Sequence, residues 1–144
     1  MTHEDAGKYR AKHPAGTAVD ASIVAALEQK ADGGRVICTH AHDIAETLKM
    51  APSEVGKTID LLEYRITKCQ LGLFGYEPGR KVVEPAETVS DELRAQLDRF
   101  AGSGEISCAS AWEIADRLGL QRMEVAAACE LLGIKIRRCQ LGAF

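Results

Sequence analysis

Aromatic side chains make up only 5% of this 144-residue chain, with three Phe, three Tyr and one Trp. A protein that stacks single-stranded bases on a platform of rings needs more of them. The chain also lacks a basic excess. Its 18 Lys and Arg stand against 21 Asp and Glu, for a net charge of −3. That excludes the overall footprint of a strongly basic nucleic-acid protein and leaves room only for local patches. No apolar run approaches the roughly 18 residues of a membrane-spanning helix, so no membrane partner is expected. The opening MTHEDAGKYRAKHPAG has no apolar h-region, so a secretory signal is not expected either. Five cysteines without such a signal read as reduced thiols and a cytoplasmic location.

Catalytic signatures are missing as well. The sequence holds no Gly-rich phosphate loop, no paired-carboxylate motif and no nucleophile elbow. An enzyme is not expected, and neither is a cofactor.

What is present is a repeat. Sliding the chain by 70 places residues 20–74 on 90–144 without a gap, and 19 of the 55 pairs are identical. The matches include Leu27/Leu97, Cys38/Cys108, Ile44/Ile114, Ala45/Ala115, Leu48/Leu118, Val55/Val125 and Ile66/Ile136. Each copy closes on the same segment, Cys-Gln-Leu-Gly-Leu-Phe at 69–74 and Cys-Gln-Leu-Gly-Ala-Phe at 139–144. Most shared positions are apolar or small, as a common interior requires. Two copies are too few for a solenoid, so duplication of a compact domain is the better reading. The expected organisation is a flexible N-terminal arm at 1–17, a first unit at 18–75, a linker at 76–88 rich in Pro and Gly, and a second unit at 89–144.

Within each copy the pattern predicts three helices and a little strand. Val89, Leu93, Leu97 and Phe100 recur at helical spacing behind a Ser90 cap. Asp20, Ile23, Val24 and Leu27 match them in the first copy. Gly33-Gly34 and Gly102/Gly104 end that helix. Short strands at 35–38 and 105–108 follow. A second helix is predicted from Ser110, whose Ser-Ala-Trp-Glu run fits a capping box, to Gly119. A third begins near Ser53 or Met123. A β-rich end closes each copy at 64–74 and 134–144, with a bulge or tight turn at Thr67-Lys68 and Arg137-Arg138 where the apolar parity shifts. CQLGxF is expected to be the closing strand, or alternatively a recognition edge for a partner strand.

The stretch IADRLGLQRMEVAAACELL, 114–132, resembles the helix-turn-helix family, with Ala115 at the helix crossing, Gly119 in the turn and Leu118, Leu120 and Val125 as shared core. IAETLKMAPSEVGKTIDLL, 44–62, is similar but carries Lys49 where the glycine stands. Together with the flanking helix and strands, the order resembles a winged helix. The implied class is mainly α with a small β component (α+β), as two tandem winged-helix-like domains from an internal duplication. The same fold also serves protein–protein contacts.

The resemblance implies a DNA-binding transcriptional regulator. The third helix would lie in the major groove, led by its N-terminal residues. Base edges are read mainly by Arg, Lys, Asn and Gln. Lys57 qualifies in the first copy, with Ser53 as a weaker candidate, and Gln121 and Arg122 qualify in the second. The other outward positions would be Ala51, Pro52, Gly56 and Asp60, and Met123, Ala126, Ala127 and Glu130. Arg65 and Lys68, with Lys135, Arg137 and Arg138, stand where a wing would touch phosphate. The smooth Ala126-Ala127-Ala128 face suits an interface, with a homodimer or another protein as partner.

Two alternatives stand beside this reading. One is a protein-interaction or assembly module of the same fold without DNA binding. The other is a metal or redox sensor. Cys38 and Cys69 are 31 residues apart, as are Cys108 and Cys139. Four thiolates could hold zinc or an iron–sulfur cluster, although no C-x2-C spacing is present and buried cysteine commonly serves as a small hydrophobe. Cys38-Thr-His40-Ala-His42 is a weaker ligand pattern of the same kind.

Overall fold

The computed structural model describes residues 7–77 and 80–144. Among them the chain is α+β, with six α-helices and four three-residue strands. Five elements follow in the first copy: α1 (Ala21–Lys30), β1 (Arg35–Ile37), α2 (Cys38–Leu48), α3 (Pro52–Leu61) and β2 (Arg65–Thr67). The second copy repeats them as α4 (Asp91–Phe100), β3 (Glu105–Ser107), α5 (Cys108–Leu118), α6 (Arg122–Leu132) and β4 (Lys135–Arg137). Every element starts 70 residues after its counterpart, as the sequence offset requires.

Local chemistry sets these boundaries. The Asp20 side chain accepts from the Ser22 and Ile23 amides, and the Ser90 hydroxyl accepts from Leu93 N–H, so both predicted caps open their helices. α5 starts two residues earlier than its capping-box pattern suggests. The serine that caps it is Ser107, whose Oγ accepts from Ser110 N–H at 3.1 Å. His40 and His42 therefore sit inside α2 and not at its start.

Three residues join the second and third helices in each copy. The first of them is left-handed: Gly119 at φ 68° and Lys49 at φ 55°. That geometry lets Met50 N–H reach Ala45 O, and Leu120 N–H reach Ala115 O, both at 2.9 Å. Lysine pays a steric cost there that glycine avoids.

The strands are shorter than the sequence predicts. β1 pairs with β2 in parallel, with Val36 opposite Ile66, and β3 pairs likewise with β4, with Ile106 opposite Ile136. Among the described residues no two of these strands pair antiparallel, and antiparallel pairing is confined to the isolated bridges Asp32–Arg35 and Tyr76–Arg80. CQLGxF is not a strand; residues 70–75 and 140–142 form turns and bends. The predicted tight turn does occur, with Lys68 at φ 51° and Arg138 at φ 54°. An extended run cannot continue through a left-handed residue, which is why the β-rich end stops at 67 and 137.

By contact the chain divides into two compact units that do not coincide with the two copies. Unit 1 comprises the residues up to Cys69 together with Gln140–Phe144, and unit 2 comprises Gln70–Cys139. Each break falls just after the left-handed turn. Unit 1 thus takes its closing pentapeptide from the end of the sequence, and unit 2 takes the one at 70–74.

The core of unit 1 is formed by Ile23, Leu27, Val36, Ile44, Val55, Ile59 and Ile66, joined by Leu141 and Ala143, all buried. The core of unit 2 is formed by Leu93, Leu97, Ile106, Ile114, Val125 and Cys129, joined by Leu71 and Val83.

The arm and the linker are also packed where they are described. Residues 9–12 form a short 3-10 helix against α3, and Tyr9 is only 2% exposed. Residues 80–86 belong to unit 2, where Val83 is buried. Residues 1–6 of the arm and 78–79 of the linker lie outside the described residues.

Candidate functional site: the covered third helices

In unit 1 the outward face of α3 is occupied by two segments of the chain. The first is the tail, 140–144. Gly56 sits in the middle of α3, and a Cβ built on it would lie 1.7 Å from Leu141 O and 2.6 Å from the Leu141 carbonyl carbon. The tail backbone therefore rests on the bare helix backbone, and only glycine permits it. The second is the 3-10 helix, held by the residue at the far end of α3. Glu63 Oε2 accepts from Tyr9 N–H at 3.0 Å and Oε1 from Arg10 N–H at 2.7 Å. Arg10 Nη1 donates to Leu61 O at 3.1 Å.

Between these segments lies Asp60, its side chain 2% exposed. Its Oδ2 takes Lys12 Nζ at 3.1 Å and His13 Nε2 at 2.8 Å. Lys12 Nζ also donates to Gly142 O at 2.9 Å. One ammonium thus ties strap, helix and tail together. The other Asp60 oxygen, Oδ1, is buried with no hydrogen-bond partner among the described residues.

Unit 2 covers α6 by related means. Gly72 O accepts from Val82 and Val83 N–H at 2.9 and 3.1 Å, and Ala86 N–H donates to Ala127 O at 3.0 Å. Lys81 pairs with Glu130, the counterpart of Asp60 in the 70-residue offset. A Cβ on Gly72 would lie 2.9 Å from Val83 Cβ and 3.2 Å from Met123 Cε.

These contacts cover some of the residues that sequence reasoning placed on an open recognition surface. Gly56 and Asp60 are buried, as are Ala126 and Ala128, while Ala127 between the two alanines is half-buried. Ser53 is exposed, and Lys57 pairs with Glu54 at 2.8 Å one turn away on the same helix. Gln121 is the exposed residue before α6. Arg122 lies over the Trp112 ring at 3.5 Å from its centroid, with Asp116 at 3.9 Å, so a cation–π contact already occupies its guanidinium. Gln121 and Arg122 line an open depression of about 340 Å³ together with Gln70, Tyr76, Asp116, Leu120 and Met123.

The basic residues after the third helices fall into two unlike settings. In unit 1, Arg65 is in direct register with Arg35, and Lys68 follows at the exposed turn. In unit 2, Lys135 is in register with Glu105, and Arg137 Nε lies 3.6 Å from the Glu105 carboxylate. Arg138 is exposed at its left-handed turn.

The thiols do not form a metal centre. Among the described residues no three His, Cys, Asp or Glu side chains converge on a common point, so neither the Cys38, Cys69, Cys108, Cys139 set nor the Cys38, His40, His42 set makes a ligand cluster. Cys38, Cys69, Cys108 and Cys129 are buried free thiols, and Cys139 is half-buried. Burial, with a smaller push from Glu130, raises the Cys129 thiol to about 11.

The residues that sequence reasoning passed over are Tyr9, Glu63 and Lys12, and the packing role of Gly56, which it placed on an open outward face. A signal existed for two of them. Tyr9 is the one aromatic in an otherwise polar arm, and a glycine inside a helical pattern marks a packing or functional reason. Comparison of the chain with protein-family models, with curated proteins and with solved structures returns no match.

Proposed function

We propose that the chain is a non-catalytic interaction module built from two helix-turn-helix units of winged-helix-like order, and that its third helices hold peptide segments instead of reading duplex DNA. One observation carries this reading: the Leu141 backbone lies on Gly56, in the middle of the helix face that would enter a major groove. Groove insertion needs that face bare and its leading residues free. Here Gly56 and Asp60 lie under the tail and strap, Ala127 O is taken by Ala86, and Arg122 is stacked on Trp112. What α3 does instead is recognise a short peptide, through close backbone approach, a buried leucine and a lysine bridge.

The test is fluorescence anisotropy on a panel of labelled duplexes at low salt. The expected result is no discrimination between sequences, and no effect of Ser53→Ala or Gln121→Ala. Sequence-selective binding that either substitution abolishes would overturn the reading.

A second reading, duplex contact through phosphate alone, is favoured by the Arg35–Arg65 register. Two guanidinium-bearing positions in one register put basic side chains side by side, the residue type that meets phosphate. Binding of this kind falls steeply with salt and carries no sequence information. Arg35→Glu with Arg65→Glu abolishes it if it exists, while Lys135→Glu has less effect because Glu105 already faces that position.

A further inference from the structure

Five residues enter the α3 groove of unit 1. Leu141 is 1% exposed and Ala143 is 2% exposed. Gly142 O is held by Lys12, which also grips Asp60, and the Leu141 carbonyl rests on Gly56. Each of these contacts is made to a segment that follows the left-handed turn at Arg138, φ 54°, and the break after Cys139. None depends on that segment belonging to the same molecule.

We propose that this groove is an interchain docking site whose occupant is residues 140–144 of a second copy of the chain, so that copies associate by exchanging this tail. The inference rests on reading the third helix as a peptide holder and adds the identity of the peptide. Three features favour a second copy over an unrelated partner. The occupant already seated in the groove is this chain's own sequence. The site is shaped for it: Ala143 is buried, whereas the equivalent residue in the other segment is Leu73, which is larger and only half-buried. QLGLF would have to bring that extra bulk into the place where Ala143 is enclosed, so the site selects QLGAF by exclusion. Unit 2 shows the complementary arrangement, with Ala126 at the position of Gly56 and Leu73 in its own pentapeptide. Exchange preserves every native contact. Concentration then sets the balance between the closed chain and the exchanged pair, because closure within one chain has the advantage of effective concentration and exchange has the rest in common with it.

The experiment pairs two full-length variants. Leu141→Asp spoils the tail and leaves the groove open; Gly56→Leu blocks the groove and leaves the tail free. Mixed at equal concentration, they are expected to form a 1:1 complex of twice the chain mass in sedimentation velocity, while each alone sediments as a single chain. Adding Leu141→Asp to the Gly56→Leu chain abolishes the complex. Two folded variants that fail to associate would overturn the proposal.

Where a variant does not fold, wild-type chain is refolded from urea with an excess of fluorescent peptide, either residues 135–144 or residues 65–74. Preferential retention of the 135–144 peptide on gel filtration, by about tenfold, supports the proposal, and equal retention or none overturns it. Peptide retained by variants that nevertheless do not pair refutes exchange while leaving the peptide-holding reading intact. Loss of both refutes both.

Discussion

Replacing Gly56 with alanine separates two accounts of α3 by the sign of a stability change. For a solvent-facing glycine in mid-helix, alanine is favourable by up to about 1 kcal/mol, because it restricts the unfolded chain and fits the helix better. Gly56 is buried, and the new methyl would fall 1.7 Å from Leu141 O and 2.6 Å from its carbonyl carbon. Ordinary contact requires about twice the shorter distance. A backbone carbonyl cannot rotate away as a side chain tip could, so the tail must retreat. Retreat re-exposes Leu141, worth about 2 kcal/mol, and breaks the Lys12 to Gly142 bond, worth about 1 kcal/mol. Set against the helix gain, the net loss is about 2 kcal/mol, a roughly 30-fold shift in the unfolding equilibrium. Urea denaturation followed by circular dichroism measures it as a lower midpoint, and hydrogen exchange should show faster amides at 140–144. A Gly56→Ala chain that is more stable than the wild type, with those amides still protected, would refute the placement of the tail on α3.

The left-handed positions give a paired prediction. Lys49→Gly removes a steric penalty and should raise stability by about 1 kcal/mol, as its counterpart Gly119 suggests. Glu63→Gly relieves the same penalty, its counterpart being Gly133, yet it should lower stability by about 1 kcal/mol because the two amide bonds to the strap are charge-assisted and are lost. Thermal denaturation of both variants checks the pair. The folded-state pKa of Asp20 is held below the ordinary aspartate value of 3.8, first by the Ser22 hydroxyl and then by the Ile23 amide. Its stabilisation is therefore complete above that value and is lost as pH falls through the depressed one. Asp20→Ala should lower the urea midpoint at neutral pH and have little effect in strong acid. Thiol labelling at about pH 8 should modify Cys139 first and leave Cys129, buried and raised to about 11, protonated and unreactive until the chain unfolds.

The elements were legible because the information is local. The Asp20 and Ser90 caps and the Gly119 turn lie within a few residues of what they specify, and the structure keeps all three. Strand direction was not legible. A three-residue strand with one apolar residue in the middle, such as Arg35-Val36-Ile37, reads the same in either orientation, and only the position of its partner decides. The destination of CQLGxF was hidden for a related reason. Its leucine says that the segment is buried but not by which helix, and the break in contact after Cys69 and Cys139 is a property of the folded chain. The candidate DNA-contacting residues were chosen on helical phase. Helical phase does not report what other segments cover a face, and Gly56 and Asp60 are covered.

The coverings also account for how units of this size hold together. A domain of about 60 residues buries only about 60% of its unfolded surface and is marginal by itself. Three helices and two three-residue strands leave the outward face of the third helix for other segments to cover. In unit 1 the strap and tail close it with one buried aromatic, one buried leucine and one small residue, Tyr9, Leu141 and Ala143. In unit 2 the same work falls to Leu71 and Val83, with Ala126 replacing the glycine. Unit 2 has no counterpart of the 3-10 helix among its described residues, and Leu131 is 43% exposed where the matching Leu61 is 4% exposed. The repeated pentapeptide, 70–74 or 140–144, is therefore the closing piece of each unit. A unit that depends on such a piece for its stability has a binding groove by construction, whichever molecule supplies the piece.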